Sequence, residues 1–204
     1  MNAKWTYVGA ATLGPEVAYA VARPKWTLCS GGRKPRGEWR TDILSLKRVP
    51  RGAFVDWLAM AAGDGRTALG EGLRGTVMLD VSEAGQGGLL RLAVERAIER
   101  TPPLSKIRFL ALDVTARDVE RSSRVVARND VLVPFLDAIE RGAIQLPHGP
   151  ASIELVDQYD ALTRKPDAAG GREDLVRADA LCVWAIHLEG RADTGGTMGA
   201  LNAY

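Results

Sequence analysis

Imidazole and thiol groups are scarce in this 204-residue chain: His148 and His187 are the only histidines, Cys29 and Cys182 the only cysteines. Two histidines point away from a histidine-centred catalytic site. Two distant cysteines, without metal-ligand spacing, indicate neither a zinc site nor a disulfide framework. No apolar run approaches a membrane span, and the start MNAKWTYV lacks the apolar core of a secretory signal. No GxxxxGK[ST] motif occurs, so no P-loop is indicated. A net charge of +2 does not mark the whole chain as a nucleic-acid binder, although a local basic patch can do so. A soluble protein of a reducing compartment, without membrane contact, is expected.

What is present is globular. Hydrophobic residues at 46% and charged residues at 25% are ordinary values, and the length suffices for one domain with a sizeable core. Trp5–Ala11 and Val17–Ala22 read as strands joined by a turn at Gly14-Pro15. SGGRKPRGEWR reads as a basic loop or wide strand connection, and ILSLKRV as a third strand. AFVDWLAMAA has helical apolar spacing. TVMLDV has the unbroken apolar character of a strand buried on both faces. LLRLAVERAIER is an amphipathic helix, KIRFLALDV a fifth strand, and NDVLVPFLDAIERGAI a helix that Asn129 or Asp130 could cap. IQLPHGP is a short extended piece; ASIELVDQYDAL and EDLVRADALCVWAIHL are further helices. The expectation is an α/β domain over residues 1–190 with a flexible tail over 191–204. A three-strand meander followed by βαβ crossovers gives a mixed central sheet with helices on both faces.

Asp80 ends a buried strand, where a carboxylate is costly unless paired, amide-bonded or metal-bound; the plainer alternative is a turn or helix-capping aspartate. On the last helix Ala178, Leu181, Cys182, Ala185 and Leu188 define the inward stripe. Asp174 precedes that stripe by one turn and points toward the sheet. Glu173 suits dipole complementation and an i+4 pair with Arg177. Asp179, rotated away from Asp174, is expected to be solvated or partner-facing. Arg128 is placed to approach a phosphate or balance nearby acids. Arg33, Lys34, Arg36 and Arg40, with Trp39 among them, suit phosphate contact plus stacking. Gly85, Gly87 and Gly88 match no nucleotide-binding spacing and read as a turn of close chain approach.

Four segments carry a resemblance when taken in order. YVGAATLGPEVAYAV is similar to an opening strand and hairpin of the form V-G-x-D-x-G. GTVMLDVSEAGQGGLLRLA is similar to a valine-rich strand ending in an acid, a glycine turn and a helix. RVVARNDVLVPFLDAIERGAIQLP is similar to V-P-K-x-x-L, a helix and G-R-I-x-x-P. GREDLVRADALCVWAI is similar to H-D-D-L-V-x-A-L-A-L-A-x-W. Together they resemble the C-terminal, RNase H-like nuclease domain of tailed-phage terminase large subunits.

The resemblance implies a DNA endonuclease fold working by two-metal phosphodiester hydrolysis. It places metal-binding, catalytic acids at Asp80 and Asp174, with Glu173 in the adjacent acidic position. A lysine of the pattern falls on Arg128, and Glu16 matches a second, non-catalytic acid of the hairpin. The first-strand acid, which bridges two divalent ions about 4 Å apart, falls on Ala11. The implied cofactor is therefore Mg²⁺ or Mn²⁺ at a single, weak site, and the implied activity is weak or lost. The implied partners are double-stranded DNA, through Arg33, Lys34, Arg36, Arg40 and Arg128, and other phage packaging or virion proteins. The implied location is the host bacterial cytoplasm or the virion. The alternative is a non-enzymatic DNA-binding or structural phage protein. Under the first reading, Ala11→Asp should tighten Mn²⁺ binding and raise DNA cleavage if Asp80 and Asp174 are correctly placed.

Overall fold

The computed structural model describes residues 5–29, 36–63, 75–82, 85–101, 104, 107–115, 125–164 and 172–193. In chain order the elements are β1 (Thr6–Leu13), β2 (Glu16–Cys29), β3 (Arg36–Pro50), α1 (Arg51–Gly63), β4 (Gly75–Asp80), α2 (Gln86–Arg100), β5 (Arg108–Thr115), β6 (Val125–Ala127), α3 (Arg128–Glu140), β7 (Ile144–Gln145), α4 (Pro150–Arg164) and α5 (Asp174–Asp193). The described strands form one sheet in the order β6-β5-β4-β1-β2-β3-β7. β1, β2 and β3 pair antiparallel as the expected meander. β4 joins β1 in parallel, and β5 joins β4. Helical crossovers make parallel neighbours possible, because a parallel pair cannot be closed by a tight turn.

The period-2 alternation of the central strands divides the core between two faces. Val8, Ala10, Val17, Tyr19, Val21, Val77 and Leu79 pack with Phe54 and Leu58 of α1 and Leu90 and Val94 of α2. The opposite face carries Tyr7, Ala11, Ala18, Ala20, Ala22 and Met78 beneath α3, α4 and α5. Side chains on β1 and β2 are mostly small there, and α5 comes in close. A Cβ at Gly9 would collide with the Ala178 carbonyl oxygen. The β1–β2 turn depends on Gly14, whose φ of 58° is a left-handed conformation.

Several local expectations change. β2 runs to Cys29, where only Val17–Ala22 reads as strand from sequence, and its ladder with β3 extends from Glu16↔Pro50 to Cys29↔Arg36. Arg36 and Arg40 thus lie on a strand rather than in a loop; Arg33 and Lys34 lie outside the described residues. β6 and β7 are edge strands of 3 and 2 residues, too short to show a period. α3 starts at Arg128 with Ala127 as its N-cap and no side-chain cap bond, so neither Asn129 nor Asp130 caps it. α5 continues to Asp193, making 191–193 helical; the remainder of the expected tail lies outside the described residues. Among the described residues no helix is long and apolar enough to cross a membrane.

Candidate active site

β1 and β4 end side by side, with Ala11 directly opposite Asp80 in the parallel register. Partners in such a register project to the same face, here the face covered by α5. Asp80 is fully buried, and both its oxygens are engaged by protein donors. Oδ1 accepts from the Ser82 backbone amide at 2.9 Å and from Ser82 Oγ at 2.6 Å. Oδ2 accepts from Arg177 Nε at 2.7 Å and also from Nη2 of the same guanidinium. Arg177 Nη2 further donates to Ser82 Oγ at 2.8 Å. Arg177 stands one turn after Asp174 on α5, which aims it at the tip of β4.

Asp174 is 2% exposed and is held from the other side. Arg48 of β3 donates to Oδ2 through Nε at 2.7 Å and to Oδ1 through Nη2 at 3.0 Å. Gln158 of α4 donates to Oδ1 at 3.0 Å, and its Oε1 accepts from the amides of Leu175 and Val176 at 3.1 and 3.3 Å. Gln158 thereby satisfies donors that the first turn of a helix leaves without intrahelical partners. Arg48 sits opposite Ala18 in the β2–β3 ladder, where the methyl side chain leaves room for it. Its other edge grips Glu154 through Nη1 and Nη2, each at 2.9 Å. Hydrogen bonding to Asp174 first, and to Glu154 second, holds the Arg48 guanidinium above its ordinary pKa. The Arg48 hydrogen bond likewise holds the Glu154 carboxyl below the usual range. Arg172 adds longer contacts, 3.5 Å to Glu154 and 3.9 Å to Glu16.

Glu173 pairs with Arg128, whose Nη2 lies 2.7 and 2.6 Å from its two oxygens. This differs from the expected helical pair with Arg177, because Arg177 is taken by Asp80. Asp80 and Asp174 share no hydrogen-bond partner: Ser82 and Arg177 serve the one, Arg48 and Gln158 the other. Asp179 differs most from expectation. It is 0% exposed rather than solvated, neither of its oxygens has a hydrogen-bond partner, and burial pushes its carboxyl up to about 7.

The site is thus a set of carboxylates each closed by a guanidinium. Among the described residues no group of three or more His, Cys, Asp or Glu side chains is arranged to hold a metal ion. The lone pairs that would face divalent ions are directed at arginine and serine donors. The residues present fit internal ion pairing, and they do not fit a two-ion centre, which needs acids converging on shared ions.

No protein-family model and no curated protein matches the sequence. Among solved structures, the fold is similar to the nuclease domain of human cytomegalovirus terminase, soaked with manganese. That likeness is 15% in sequence identity, covers 89% of this chain and 82% of the other, and has a TM-score of 0.52. Thermus thermophilus RuvC aligns at 13% identity over 93% of this chain and 96% of its own, with a TM-score of 0.44. The same protein in complex with a Holliday junction substrate aligns at 11% identity over 94% and 97%, with a TM-score of 0.45. On its sheet topology and the likeness to the terminase nuclease domain, the protein is a mixed α/β protein of the RNase H-like fold. Its likeness to the terminase nuclease domain is one of architecture.

Proposed function

We propose that this chain is a nuclease-derived, DNA-binding domain of a phage-type packaging apparatus in which two-metal hydrolysis is weak or lost. The observation that carries the reading is the pair at the strand tips: Ala11 offers no carboxylate, and its neighbour Asp80 is closed by Arg177. A methyl group supplies neither the charge nor the bridging oxygens of two-ion phosphodiester chemistry. Asp80, Asp174 and Glu173 are read as what is left of the metal-binding set. Arg128, with the basic segment Arg33, Lys34, Arg36 and Arg40, is read as contact for duplex phosphates. This assignment to packaging rests on the four sequence segments and on the terminase-like architecture.

Plasmid cleavage in Mg²⁺ and in Mn²⁺ tests the reading. The unmodified chain should retain duplex DNA, with affinity falling as salt rises, while leaving it uncut or barely nicked. Vigorous cutting abolished by Asp80→Asn would mean that the centre works without a first-strand acid. Cutting that survives Asp80→Asn would mean that chemistry occurs elsewhere in the chain.

A further inference from the structure

Arg177 and Arg48 each grip a buried acid at this end of the sheet, Asp80 and Asp174 respectively. Each arginine engages its aspartate through two nitrogens. Each is itself largely enclosed, with side-chain exposure of 22% for Arg177 and 14% for Arg48. Arg48 forms the two-oxygen, bidentate pair with Asp174, whereas Arg177 places both nitrogens on Oδ2 of Asp80 and leaves Oδ1 to Ser82. Both pairs are charge-assisted and strong, and a guanidinium does not give up its proton at any working pH. A divalent ion approaching Asp80 or Asp174 therefore meets a carboxylate that already has a cation. It would have to expel a positive side chain from a partly desolvated position, or share oxygens with it against Coulomb repulsion.

We propose that Arg177 and Arg48 are built-in counter-ions standing where divalent ions would be required, so that the arginines, and not Ala11 alone, keep metal out of this site. The proposal rests on the reading of the site as a nuclease remnant and changes what a repair must include. An aspartate at position 11 would be buried on the same face as Asp80. With Arg177 in place it would add an anion without opening Asp80. Ala11→Asp alone therefore leaves the site closed; the sequence-based expectation that this change tightens Mn²⁺ binding required Asp80 to be open to an ion, and Arg177 occupies its Oδ2. Ala11→Asp with Arg177→Gln frees Oδ2 of Asp80 and supplies a second carboxylate beside it.

Calorimetric Mn²⁺ titration of four proteins decides the matter: unmodified, Ala11→Asp, Arg177→Gln, and Ala11→Asp/Arg177→Gln. The combined variant should bind Mn²⁺ more than about tenfold more tightly than Ala11→Asp, since a guanidinium a few ångströms from a divalent ion is strongly repelled. Equal affinity of the two, or no uptake by the combined variant, overturns the proposal. Because Arg177→Gln leaves Asp80 buried without its cation, that variant is at risk of unfolding. Asp80→Asn/Arg177→Gln covers this case, because removing both charges should restore the folded stability that either single change loses. Stability losses that merely add across the two positions would deny Arg177 the role of counter-ion. Plasmid cutting by the unmodified chain would overturn the nuclease-remnant reading separately, whatever the Mn²⁺ titrations show.

Discussion

Two aspartates on α5 are buried to nearly the same extent and treated in opposite ways. Asp174, in the first turn, accepts three hydrogen bonds from Arg48 and Gln158. Asp179, little more than one turn onward, accepts none at either oxygen, and its carboxyl rises to about 7 from the ordinary 3.8 through burial. Cys182 is buried as well, and that burial first, with nearby Asp179 second, pushes its thiol up. The contrast separates enclosure from cost. A buried carboxylate is tolerable as an anion where a cation and donors enclose it, and it tends toward the neutral acid where nothing does. The first turn of α5 is a charged end built by pairing; the middle of the helix is an apolar core holding one misfit.

The largest expected effect comes from breaking the paired end. Arg48→Ala strips Asp174 of the only cation hydrogen-bonded to it among the described residues, and leaves Glu154 with the longer contact to Arg172. Removing one partner of a buried pair costs about 3–5 kcal/mol, because the other charge stays enclosed. Urea denaturation should show that loss at neutral pH. A loss below about 1 kcal/mol would place Arg48 among ordinary exposed pairs and dissolve the contrast between the two aspartates.

The next effect tests the unpaired half. Asp179 binds its proton more tightly folded than unfolded, so the folded chain carries the extra proton between pH 3.8 and about 7. Stability from this group is complete below the unfolded value and is lost as pH rises through the folded one. From about pH 5.5 to about pH 8 the loss should be about 2 kcal/mol, and Asp179→Asn should flatten it. Glu154 runs the other way: its depressed pKa contributes stability that is lost as pH falls, below the window used for Asp179. A wild-type profile that stays flat over that window, matching Asp179→Asn, would mean that the carboxyl finds a partner in solution.

The same contrast explains what could be read from sequence. The sheet core was legible because unbroken or alternating apolar runs such as TVMLDV leave few other solutions. Asp80 and Asp174 were legible as acids at the ends of buried elements. Their partners were less so. Arg48 continues the period-2 face of Leu46, and Gln158 interrupts the stripe of Leu155 and Leu162 on α4; each placed a polar group on an inward face, a signal available but weak. That Arg48 would meet Asp174, 126 residues away, depends on how α5 docks over β1, β2 and β3, which no local pattern encodes. Asp179 misled for a different reason. The apolar spacing of α5 implies a single inward stripe, whereas residues 174–186 are buried at every position except Arg177. Ala180, Val183, Trp184 and Ile186 lie off that stripe and are apolar too, the mark of a helix enclosed on all sides.

The smallest effect asks whether the contrast is graded or all-or-none. Glu173 sits next to Asp174 in sequence and is likewise paired to an arginine, yet its side chain is 21% exposed against 1% for Asp174. Water reaches both ends of the Glu173–Arg128 pair, so screening offsets most of its Coulomb energy and side-chain ordering opposes the remainder. Glu173→Gln should therefore cost about 1 kcal/mol or less, and added salt should shrink that cost further. Denaturation of Glu173→Gln beside Arg48→Ala, at low and high salt, reads the difference directly. If Glu173→Gln costs as much as Arg48→Ala and resists salt, exposure is not what grades these pairs. Glu173 and Asp174 would then act as parts of one coupled network, in which opening either loosens the other.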